Sequence, residues 1–78
     1  MICIATFYSH FGAVRFKRMC DQQGWPARMM PVPRSLSSSC GTCVQYEGSL
    51  PDEYPAEIEQ IVACDDGCYR TLYAAENA

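Results

Sequence analysis

A chain of 78 residues with a 49% hydrophobic share is sized for one domain around a single small core. Its formal net charge of -3 argues against a phosphate-binding surface and hence against a nucleic-acid partner. No stretch approaches the roughly 20 apolar residues needed to cross a bilayer, and no basic n-region precedes the apolar run Ile2 to Tyr8, so a cytoplasmic, non-membrane protein is expected.

Residues Ile2 to Tyr8 are apolar on both alternating faces, as in a central strand covered on at least one side. Ser9 offers an N-cap to a helix over His10 to Gln23, with Ala13, Phe16, Met19 and Cys20 on its buried stripe and Gly24 as its terminator. Arg15, Lys17 and Arg18 read as the wet side of that helix, not as an anion site, and His10 as a solvated or capping residue at its start. Trp25 plugs the corner that follows. Ala27 to Val32 reads as a second strand, which Pro31 restricts to a sheet edge because proline has no N–H for a ladder.

After the serine-rich bend, Cys43 to Glu47 alternates as a third strand. The stripe Ile58, Ile61 and Val62, with Pro55 in the first turn and Glu53, Glu57 and Glu59 at the positive end, predicts a second helix stopped by Asp65-Asp66-Gly67. Cys68 to Tyr73 is then a fourth strand. The order βαββαβ predicts an α+β, ferredoxin-like sandwich: a four-stranded antiparallel sheet with two helices on one face. The expectation is one domain over residues 1–78, with an ordered core over 1–74 and a tail over 75–78. The uncovered sheet face suggests a homodimer.

Six cysteines in so short a chain pose the chemical question. A secreted disulfide scaffold is loop-rich, and this chain is periodic, so thiols, thiolates or metal ligands are expected in place of structural bridges. Cys3, in a strand, and Cys20, on the helix stripe, read as small hydrophobic core residues. Cys40 differs, because Ser37, Ser38 and Ser39 before it and Gly41 after it suit a loop whose backbone can approach a ligand or stabilise a charge.

Cys43 completes a C-x-x-C with Cys40, and three chemistries fit the pair. One is dithiol/disulfide exchange, as in a small redox protein, although the setting at a helix start that such proteins use is missing. Another is a zinc module in which Cys64 and Cys68, separated from Cys43 by 20 intervening residues, supply two further ligands. The third is carriage of a sulfane sulfur or selenium atom on one thiolate. In the expected topology the two cysteine pairs lie about 15 Å apart, too far to share one ion.

The runs Thr6-Phe7-Tyr8-Ser9, Pro31-Val32-Pro33-Arg34 and Leu36-Ser37-Ser38-Ser39-Cys40-Gly41 resemble those of the small selenium/sulfur carrier protein-like domains, from about Cys3 to Tyr73. The resemblance implies a carrier, not a turnover enzyme, whose motif cysteine, here Cys40, holds a persulfide or perselenide without a cofactor. Cys43, Cys64 and Cys68 depart from that pattern, which leaves room for a resolving thiol at Cys43 or for the zinc alternative. The expected cycle takes sulfur from a donor such as a cysteine desulfurase onto Cys40 and passes it to an acceptor protein. Ser38, Ser39, the Gly41 and Thr42 N–H groups and Arg34 are expected to stabilise the thiolate, and Cys43 to displace the cargo.

Overall fold

The computed structural model describes residues 1–75. Strand β1 (Ile2–Phe7) is followed by helix α1 (His10–Gln23), β2 (Ala27–Pro31), β3 (Thr42–Glu47), β4 (Ile58–Asp65) and β5 (Cys68–Ala74). The strands form one antiparallel sheet in the order β2-β3-β1-β4-β5, so β1 lies at its centre and every residue from Cys3 to Phe7 is buried. The helix starts and stops where its capping residues require. The Ser9 side chain accepts from the Gly12 N–H at 3.3 Å, and Gly24 ends the helix at φ 77°, ψ 19°.

Alternation along the strands divides the interior in two. On the helix side, Cys3, Ala5, Phe7, Val44, Tyr46, Ile58 and Ile61 pack against Ala13, Phe16 and Cys20 of α1. Phe16 bridges two strands, its ring centroid 5.4 Å from Phe7 and 5.2 Å from Tyr46, and Trp25 stacks on Tyr46 at 5.6 Å. On the other side, Ile4, Cys43 and Val62 are buried beneath Met30, Val32, Leu36 and Cys64. Cys3 and Cys20 are thus core residues, as expected, and β2 takes an edge as Pro31 requires.

The two-helix, four-stranded sandwich is not what forms. The segment expected as helix two is β4, it takes the place beside β1, and the C-terminal strand, expected at an edge next to β1, keeps an edge but pairs with β4 as a fifth strand. A bulge explains the misleading period. Thr6 pairs with Gln60 and Phe7 with Ile58, leaving Glu59 without a counterpart on β1. The extra residue brings Ile58 and Ile61, three apart, into the same helix-side core, while Val62 joins the opposite cluster. In a helix, Ile61 and Val62 would share one stripe.

Asp66-Gly67, read as a helix stop, is a two-residue hairpin turn. Both residues have positive φ, 45° and 82°, the pattern that matches the twist of paired strands. Pro55 sits in a turn closed by the Ile58 N–H donating to its carbonyl at 3.0 Å. That turn presses on α1, where a Cβ on Gly12 would lie 2.5 Å from Glu57 Cβ. Ala74 ends β5 and the Ala75 N–H donates to Glu59 O at 2.9 Å; the rest of the expected tail lies outside the described residues. Among the described residues no helix is long and apolar enough to cross a membrane.

Candidate functional site

The segment linking β2 to β3 carries Cys40 and forms a closed loop. The Val32 N–H donates to Gly41 O at 3.1 Å and draws its neck together, and the Leu36 N–H donates to Pro33 O at 3.0 Å to form a turn within it. Leu36 and Val32 drop onto Ile4, Cys43 and Val62, so the sheet face expected to be bare is roofed at this end. Burial of these two apolar side chains is a modest anchor, and polar contacts complete it.

Those contacts come from the bulge. With Glu59 unmatched, both Glu59 and Gln60 reach the loop. Gln60 Nε2 donates to Ser37 O at 3.0 Å, Ser39 Oγ donates to Glu59 Oε2 at 3.0 Å, and the Ser39 N–H donates to Glu59 Oε1 at 3.3 Å. The buried Thr6 hydroxyl also donates to Glu59 Oε1, at 3.2 Å, tying the same carboxylate to β1. Ser38 Oγ donates to Phe7 O and accepts from the Cys40 N–H, each at 3.3 Å. The cysteine therefore follows two consecutive anchored residues at the sheet end where α1 begins.

The groups expected to stabilise the thiolate lie around the loop. Ser38 and Ser39 hold the loop down, the Gly41 carbonyl closes its neck, Thr42 opens β3 opposite Pro31, and Arg34 is exposed in the Pro33–Leu36 turn. Among the described residues none of them makes a hydrogen bond to the Cys40 sulfur. Cys40 itself is half-buried. Cys43 is fully buried and its Sγ donates to Pro31 O at 3.7 Å; burial pushes its thiol above the usual range, which disfavours the nucleophilic form.

Cys64 and Cys68 stand apart from this loop. Cys43 sits level with Thr6 and Gln60, two strands and four residues from Cys64, or about 16 Å by strand spacing and rise. Cys64 is half-buried, and its thiol is raised first by burial and then by Asp65. Cys68 pairs with Asp65 while Cys64 pairs with Tyr69, so the two cysteines project to opposite faces. Among the described residues no three His, Cys, Asp or Glu side chains are grouped to hold a metal, and the four-cysteine zinc arrangement is not assembled.

A separate groove of about 560 Å3 lies on the helix side, between α1 and residues 49–57, and none of the cysteines lines it.

Residues 2–69 match the family described as "Putative Se/S carrier protein-like". The chain belongs to this family. The match spans the whole roofing loop and all of β1, α1, β2, β3 and β4. No curated protein and no solved structure matches the chain. In this member of the carrier-like family, Glu59 contacts the Cys40 loop although its place in the sequence reads as a helix-dipole partner. The signal available was Asp66-Gly67 between two apolar runs, which marks a hairpin and so makes the preceding segment a strand.

Proposed function

We propose that the protein carries a sulfane sulfur or selenium atom on Cys40 between a donor and an acceptor protein. The family description supports a carrier of this kind. The single observation that favours Cys40 is its place in a loop fastened to the sheet through Ser37, Ser38 and Ser39, half-exposed while its C-x-x-C companion is sealed. A carrier needs a thiol that a second protein can reach and that does not wander.

The exchange conserves oxidation state. The Cys40 thiolate attacks the terminal sulfur of a donor persulfide, such as that of a cysteine desulfurase; the donor S–S bond breaks, its thiolate leaves, and Cys40 becomes the persulfide. Delivery repeats the step in reverse, with an acceptor thiolate attacking the terminal atom and Cys40 leaving. Cys43 stays out of this cycle while it is buried and protonated.

Incubation with a desulfurase and free cysteine, followed by intact-mass and peptide mapping, tests the reading. The expected result is a single sulfur adduct on Cys40 that is absent from Cys40→Ser. An adduct that persists in Cys40→Ser, or its failure to form in the wild type, overturns it.

A further inference from the structure

We infer that Glu59 is a positioning residue for Cys40, latching the cysteine loop to the sheet through Ser39. The observations are geometric. The β4 bulge aims this carboxylate at the loop, where it accepts from the Ser39 N–H at 3.3 Å and from the Ser39 hydroxyl at 3.0 Å. The same carboxylate accepts from the fully buried Thr6 hydroxyl at 3.2 Å, so its own position is set by the central strand. Three donors converge on one charged group, and hydrogen bonds to a charged group are the strong ones.

Cys40 is the next residue after Ser39, so the latch fixes the backbone that carries the sulfur. It also holds down the roof over Cys43. Two consequences follow: a fixed Cys40 meets a donor protein in one orientation, and Cys43 stays shielded. The first consequence rests on the carrier reading above; the second does not.

The chain carries its own reporters for the test. Cys3 and Cys20 are fully buried in the helix-side core, Cys43 is fully buried under the loop, and Cys68 is exposed. Pulsed alkylation of native protein, read by peptide mass spectrometry, compares wild type with Glu59→Ala, Glu59→Gln and Ser39→Ala. Loss of the latch is expected to speed labelling of Cys43 by about tenfold or more in Glu59→Ala, with smaller gains in the other two, which keep part of the hydrogen bonding. Cys3 and Cys20 are expected to stay as protected as in wild type, and Cys68 to label at an unchanged rate.

In parallel, loading of Cys40 from a desulfurase persulfide is expected to fall by about tenfold in Glu59→Ala while its labelling by small iodoacetamide rises. Unfolding would give the same split, so it counts for the latch only where Cys3 and Cys20 stay protected. Cys43 as protected in Glu59→Ala and Ser39→Ala as in wild type overturns the latch, and so does deprotection of Cys3 and Cys20 in step with Cys43 in both variants. If wild-type Cys40 takes no sulfur yet Cys43 is selectively unmasked, the carrier reading fails and the latch stands.

Discussion

The two faces of the sheet are covered by different physics. On one, Phe16 of α1 wedges between Phe7 and Tyr46, and the cover is a fourteen-residue helix held by apolar burial. On the other, a short loop lays down Val32 and Leu36 and depends on Glu59, Gln60 and the Phe7 carbonyl to stay in place. Apolar burial is non-directional and gives way only when the core does, whereas a few directional bonds at the rim can open while the rest stays folded. The half-exposed cysteine of the C-x-x-C lies on the side that can open, and the fully buried Cys3 and Cys20 on the side that cannot.

The largest effect that would break this contrast is on the helix side. Phe16→Ala is expected to cost about 3–5 kcal/mol, enough to unfold much of a domain this small, and chemical denaturation followed by circular dichroism measures it. A cost near that of a surface change would mean that α1 does not carry the fold.

An intermediate effect comes from pH. Burial, aided by Asp21, pushes the Cys20 thiol from 9.0 up to about 11. The unfolded chain loses this proton near pH 9 and the folded chain keeps it until near pH 11, so the contribution is whole below pH 9 and is lost as pH rises through that window. The share of Cys20 is on the order of 2–3 kcal/mol by pH 11. Cys20→Ala should flatten the decline in stability between pH 9 and 11, and denaturation midpoints across that range check it.

The smallest effect sharpens the other side. Leu36→Ala is expected to cost about 1 kcal/mol, because its side chain is only partly buried, and to accelerate amide exchange locally in residues 33–43. Exchange that quickens equally in α1 would show that the two covers are one cooperative unit.

Much of the fold was legible in the chain. The serine cap and glycine stop of α1, the unbroken apolar run of β1 and the proline that sends β2 to an edge each act locally, so each could be read where it stands. The part that was misread depends on a pairing made at a distance. Ile58 and Ile61 share a face only because Glu59 bulges against β1, and a spacing of three then imitates a helical stripe. The site divides the same way. The setting of Cys40 in a serine-rich bend is local and was visible, while the role of Glu59 required knowing that β4 lies beside β1 under the loop.

The central position of β1 has a consequence for how the molecule is made. Thr6 and its carboxylate partner Glu59 lie 53 residues apart, so the first strand emerges from the ribosome long before one of its two neighbours. Because translation proceeds from the N-terminus and distant pairings close slowly, Cys40 is synthesised ahead of the residue that pins its loop. A chain cut before β4 therefore leaves the serine-rich bend without the carboxylate that fastens it, whatever else has already folded.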